Sequence, residues 1–212
     1  MPSYLAREDP LDALCHHFNV QRVRCTETSP PTTFDMPALS DSNLPTHVFA
    51  IVQQDGNASA PPIMIPFDMA MFTRGFRSEL TTDADEPSAK HTVADDGSQV
   101  VSLPVVTLNV PHTASVPLLM LFGLGLEAEP NTLAARLLPP HVIEEFPNAA
   151  AMAQVLSQLN EDLFNRVVRY NKGLWANVLA LGLRDSQIAG LVQTAWNVAA
   201  EARRMRQQWP GR

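Results

Sequence analysis

Apolar positions at helical spacing dominate the C-terminal half of the chain. Ile188, Leu191, Val192, Ala195, Trp196 and Ala199 recur at three- and four-residue steps without a break, which predicts an amphipathic helix capped by Asp185 or Ser186. Before it, Leu174, Trp175, Val178, Leu179 and Leu181 lead into Gly182, a helix stop. Asn160 stands ahead of Glu161-Asp162 and a stripe of Leu163, Phe164, Val167, Val168 and Tyr170, so a cap and a further helix start are expected there. Ala149 to Leu159 predicts a helix that turns Met152, Val155, Leu156 and Leu159 inward. Between 130 and 147, Leu133, Leu137, Leu138, Val142, Ile143 and Phe146 are broken by Pro139-Pro140, which predicts short helices joined by turns. Ser115 to Leu126 reads as a buried helix with Pro117 in its first turn; Gly123 and Gly125 are placed to permit close packing.

The first half follows a different rhythm. His47 to Val52 and Ile63 to Ile65 are β-rich runs separated by Asp55-Gly56-Asn57, which predicts a hairpin. Phe67 to Leu80 then sets Phe67, Met71, Phe72, Phe76 and Leu80 on one side of a helix, weakened at Gly75 by about 1 kcal/mol relative to Ala. Val100 to Val110 reads as a strand, and Pro104, which lacks an N–H, makes it an edge or bulged strand. Two segments carry no period. Residues 26–45 are rich in Pro and polar side chains and read as a linker; residues 81–98 read as a solvated acidic loop. Leu11, Leu14 and Phe18 predict a short amphipathic helix between Pro10 and Val20. The expected organisation is a flexible arm and linker over 1–45, one domain over 46–207 with an insert at 81–98, and a tail over 208–212. The fold class is α+β, with a small sheet of about three strands, mostly N-terminal, packed on a C-terminal cluster of helices.

Composition narrows the chemistry. The 212 residues, 45% of them hydrophobic, suffice for a continuous core. A formal charge of −7 makes direct nucleic-acid binding an unfavourable expectation, because such binding rests on Lys and Arg neutralising phosphates. The longest apolar run, Val116 to Leu126, is about half of the roughly 20 residues a spanning helix needs, so no membrane association is expected. The opening MPSYLAREDPLDALCHHF carries early acids and no apolar core, so no targeting signal is expected. Cytoplasm or nucleus is the expected location, a reducing one for Cys15 and Cys25, which could pair or stay free.

No motif announces catalysis. There is no Gly-x-Ser-x-Gly elbow, P-loop or dinucleotide fingerprint, and Gly123-Leu124-Gly125 lacks the third glycine. Cys15-His16-His17 with Cys25 fits no standard zinc spacing; Asp83, Asp85, Glu86, Asp95 and Asp96 lack the order of a calcium loop. Glu144-Glu145 and Glu161-Asp162 read as helix-start or surface acids, His112 as a hydrogen-bonded turn residue, and Arg203, Arg204 and Arg206 as cations placed for the helix dipole. No catalytic residue, cofactor or metal is expected.

The element order, hairpin, helix, third strand, helix and closing helix pair, resembles the BTB/POZ fold. In that family a strand pair precedes a segment like His-x-x-Leu-x-x-x-Ser-x-x-Phe. Ile63 to Leu80 has a similar shape, with Phe76 at the last aromatic and Pro66 or Phe67 where the histidine would stand. Leu181-Gly182-Leu183, within Leu174 to Trp196, looks like the link of the family's closing helix pair. Over roughly 45–200 the chain also resembles clampless-type proteins of basidiomycete fungi, through Val110-Pro111-His112, Ser115-Val116-Pro117-Leu118-Leu119 and Trp175 to Leu183. The resemblance implies a non-enzymatic regulator of fungal sexual development, acting in clamp-cell formation and dikaryon growth through regulatory or transcription-factor partners. It also implies self-association as a dimer. The alternatives are a BTB-type adaptor for a cullin ubiquitin ligase, or an enzyme with an unrecognised site. Candidate partner-binding residues are Leu11, Leu14 and Phe18 in the arm, with Trp175 and Trp196 in the closing helices.

Overall fold

In the computed structural model, residues 4–6, 8–54, 60–80, 89–93 and 99–208 are described. The expected hairpin forms from β2 (His47–Gln53) and β3 (Ile63–Phe67), antiparallel with Phe49 opposite Ile65. Val48, Phe49, Ala50 and Ile51 are all buried, so both faces of the sheet are covered at β2. The strand β5 (Gln99–Val110) runs parallel to β2, with Ile51 opposite Leu108.

The mixed sheet has five strands among the described residues, not about three. The two additions lie where the chain carries no hydrophobic period. From the expected linker comes β1 (Thr33–Pro37), and from the expected acidic loop β4 (Lys90–Val93). Both run antiparallel to β5: Met36 and His91 flank Val101 on its two edges. The remainder of the acidic segment, 81–88 and 94–98, lies outside the described residues.

Central placement of β5 overturns the edge-strand expectation, and the hydrogen-bond alternation explains how Pro104 is accommodated. Val105 N–H donates to Thr32 on the β1 side, whereas the Val110 carbonyl accepts from Gln54 on the β2 side. Even-numbered residues therefore face β2, and the Pro104 nitrogen points into the gap between Ser102, the last residue paired with β4, and Val105, the first paired with β2. Buried side chains switch face at the same point, from Val101 and Leu103 to Val106, Leu108 and Val110.

The segment expected as a loose arm is built into the core. Asp9 caps α1 (Pro10–His17) by accepting from Leu11 N–H at 3.1 Å, and α1 packs against β3 and against α3 (Val116–Gly123). Arg136 donates to the carbonyls of Leu5, at 2.5 Å, and Glu8, at 3.3 Å, fastening the preceding turn. Phe67 to Leu80 yields a shorter helix than expected, α2 (Met69–Gly75), because Phe67 completes β3 and Asp68 caps the helix, accepting from Met71 N–H at 2.9 Å. Phe76 leaves the helix extended and bridges to Leu183.

Every residue of α3 from Val116 to Phe122 is buried, the mark of a central helix. It is followed by α4 (Pro130–Leu137), which packs against the last helix of the chain, and by α5 (Pro140–Ile143) and α6 (Ala149–Ser157), which pack on each other. The two stripes on either side of Tyr170 belong to one helix, α7 (Glu161–Leu181), capped by Asn160 and closed by Gly182 at φ 64°. Asp185 caps α8 (Ser186–Gln208), which packs on α6 and α7. No helix among the described residues is long and apolar enough to cross a membrane.

Candidate functional site at the junction of β5 and α7

Pro111 and His112 carry the chain out of β5 into a 3-10 turn (Thr113–Ser115) that feeds α3. A pair of asparagines interrupts the apolar stripe of α7, and both are fully buried. Asn177 meets the exit of β5 with both ends of its amide. Its Oδ1 accepts from His112 N–H at 3.1 Å, while Nδ2 donates to the His112 carbonyl at 2.6 Å and to Ser115 Oγ at 3.0 Å. Gln53, at the end of β2, completes the joint: Oε1 accepts from Thr113 N–H at 3.2 Å and Nε2 donates to the Pro111 carbonyl. Asn171 donates to the carbonyls of Leu137 and Val167, at 2.8 and 3.0 Å.

These bonds fix the His112 ring. Nδ1 lies 2.9 Å from Ser115 Oγ, the Tyr170 ring meets it edge-on at 5.9 Å, and Gly173 backs it so closely that a Cβ there would stand 2.3 Å from Cγ. Glycine at 173 is thus a matter of space for the imidazole. Burial, and secondarily the Arg169 guanidinium, hold the His112 pKa below the ordinary histidine value. Burial pushes the Tyr170 phenol up to about 12, so it stays neutral near pH 7. The 2.9 Å Ser115–His112 pair has the spacing of a nucleophile and base, but Ser115 is fully buried and also bonded to Asn177. Its role here is to hold the joint. A cavity of about 470 Å³ opens beside the ring, lined by Ala114, Asp162, Arg166, Arg169 and Tyr170.

A larger cleft of about 1210 Å³ lies where α6, α7 and the end of α8 meet. Arg206 is turned inward beside it. It donates to the carbonyls of Ser157, at 2.8 Å, and Leu159, pairs with Glu161 at 2.6 Å and lies 3.9 Å over the Phe164 ring. Arg204 pairs with Glu201, and Arg203 is exposed. The C-terminal arginines thus have separate surroundings.

Leu11, Leu14 and Phe18 are buried in the chain's own core, which removes them from any partner surface. Trp175 and Trp196 are half-buried against that core. One turn beyond Trp175, Leu179 is 63% exposed, although helical spacing assigns it to the core. Cys15 and Cys25 are free and buried, and burial raises the Cys15 thiol to about 12. His16 bonds Glu8 at 2.9 Å and His17 bonds Tyr4 at 3.2 Å, so the neighbouring imidazoles are engaged with different partners. Among the described residues no His, Cys, Asp and Glu cluster is arranged to hold a metal.

Asn177 and Gly173 are not singled out by sequence reasoning. The signal present there is a polar residue recurring in an apolar stripe, Asn171, Leu174, Asn177, Val178. No family model matches the chain, and no curated protein or solved structure matches it.

Proposed function

We propose that the chain is a non-enzymatic protein-interaction module with a BTB/POZ-like core. In this reading it is a clampless-type regulator of fungal sexual development that engages regulatory or transcription-factor partners and self-associates. The observation that carries the architecture is the three-strand unit β3-β2-β5: a hairpin whose first strand pairs in parallel with a later strand, the chain ending in the α7–α8 pair. Gly182 closes α7 and Asp185 caps α8, so Leu181-Gly182-Leu183 falls at the short connection between the two helices, which supports the reading.

The partner surface in this reading is the outer side of α7, where half-buried Trp175 and exposed Leu179 stand one turn apart. Complementation tests the role: expression in a basidiomycete strain deleted for its clampless-type gene should restore clamp cells. Leu179→Asp should fold, since the position is exposed, yet fail to complement. No restoration by the folded parent chain would sink the developmental reading. Recovery of a cullin scaffold with the purified protein, and no transcription factor, would replace the regulator by a ligase adaptor.

A further inference from the structure

We propose that the cavity between His112 and the first half of α7 is a binding site for a phosphoryl group, held by the guanidinium groups of Arg166 and Arg169 and the open edge of His112. The site is built on rigid elements. Ser115 engages Nδ1 of His112, Gly173 backs the ring and Tyr170 closes its flank, which leaves the Nε2 edge without a hydrogen-bond partner among the described residues. Arg166 and Arg169 lie one turn apart on α7 and line the same cavity. Among the described residues neither has an ion-pair or hydrogen-bond partner. A volume of about 470 Å³ accommodates a phosphate ester together with a small organic group, for which Ala114 and the Tyr170 ring supply the less polar wall. Planar guanidinium groups beside an imidazole edge suit the several acceptor oxygens of a phosphoryl group.

The charge of the lining agrees with this assignment. Two guanidinium groups face one carboxylate around the cavity, within a chain of net charge −7, and Arg169 adds to burial, the larger cause, in lowering the His112 pKa. The charged or titratable groups lining it besides His112 are Asp162, Arg166, Arg169 and Tyr170, all from α7, while the neighbouring end of β2 contributes neutral Gln53. Tyr170 in turn feels Arg136 of α4 and Asp9 ahead of α1. Asp162 is the single acid in the lining; its carboxylate opposes an anion and sets a limit on affinity.

The His112 imidazole signal, followed by proton–carbon NMR, reads the site directly. Inorganic phosphate added at constant ionic strength against chloride should shift it saturably and raise its apparent pKa, with His16, His17 and His141 as internal references. Arg166→Ala with Arg169→Ala should weaken this response by roughly tenfold or more, the loss of a charge-assisted hydrogen bond. Both arginines are exposed, so the double variant keeps its fold, which circular dichroism checks. Asp162→Asn should tighten binding. A phosphoserine peptide that binds more tightly than inorganic phosphate identifies a partner protein as the source, and the reverse order identifies a small ester. A response that chloride reproduces, that never saturates, or that persists unchanged in the double arginine variant overturns the site.

Discussion

Two of the joints that fasten α7 to the rest of the molecule are made of opposite materials. At its C-terminal end the joint is apolar and closed. Phe76 stacks on Phe72 at 4.7 Å and presses on Gly123, where a Cβ would fall 2.0 Å from the ring; a Cβ on Gly75 would fall 1.8 Å from the Gly123 carbonyl oxygen. The backbone of this corner pairs with the α7–α8 link, Arg77 N–H donating to the Gly182 carbonyl and Arg184 N–H to that of Gly75, both at 2.9 Å. One turn earlier in the helix the joint is polar: Asn177, His112, Ser115 and Gln53 hold the exit of β5 by directional bonds. Close packing commits all of the surface to fit. Directional bonding fixes the same geometry while leaving one edge of an imidazole facing a cavity, which is why the candidate site belongs to the second joint.

The largest expected effect is at the apolar joint. Phe76→Ala should cost about 3–5 kcal/mol, the usual range for deleting a buried ring, because the ring is 1% exposed and wedged between Phe72 and Gly123. Urea unfolding measures it. Gly123→Ala should be destabilising as well, and Phe76→Leu combined with it should cost less than the two single changes together, since the smaller side chain yields the space. Additive costs would mean that Phe76 and Gly123 do not share one contact, and the description of a closed joint would fail.

The polar joint should break by a different route. Asn177→Ala removes little apolar surface but leaves buried groups at His112 and Ser115 without partners, an effect of about 1–3 kcal/mol per orphaned group. Its distinguishing sign is local. The His112 ring signal should broaden or move, whereas Phe76→Leu should leave that signal in place. A His112 signal indifferent to Asn177 would show that the amide does not position the ring.

Legibility in the sequence follows the range of the forces involved. The helix α8 is set by contacts three and four residues apart, and its stripe, its Asp185 cap and the Gly182 stop before it are all readable locally. Strands β1 and β4 are not. Met36 is the one fully buried side chain in β1, and the partner that makes Thr33–Pro37 a strand is β5, with Thr33 opposite Pro104. For α1 the amphipathic spacing is visible but its docking place is not, since spacing gives a face and not the surface that the face meets. His112 reads as a hydrogen-bonded turn residue, yet its partner Asn177 is 65 positions away. Gly173 has no signal of its own, because a helical glycine becomes meaningful only when the embedded ring beside it is known.

A smaller effect tests the backbone of the apolar joint. Gly182 has φ 64° and a Cβ there would approach Arg77 Cβ to 2.9 Å, so Gly182→Ala should cost about 1–2 kcal/mol, mostly left-handed backbone strain. Gly190 faces open space on α8, and Gly190→Ala should instead stabilise by about 1 kcal/mol through helix propensity. Equal responses at both positions would contradict the left-handed closure of α7.

The smallest expected effect separates the joints by pH. His112 has a folded pKa below the ordinary 6.5, first through burial and then through Arg169, and His17 is lowered too, by burial and then by His16. Below about pH 6.5 the unfolded chain therefore takes up protons that the folded chain resists. More protons on the unfolded side means that stability falls as pH falls, and that this loss is absent above the unfolded value. Urea midpoints compared between pH 7.5 and 5.5 should decline in the parent chain and decline less in His112→Gln. Phe76→Leu should lower both midpoints while keeping the decline, because the contacts that it loosens are those of Phe72 and Gly123 and not those of His112. A decline unchanged in His112→Gln and abolished in His17→Asn would move the acid sensitivity from the polar joint to the N-terminal cluster of Tyr4, His17 and Asn43.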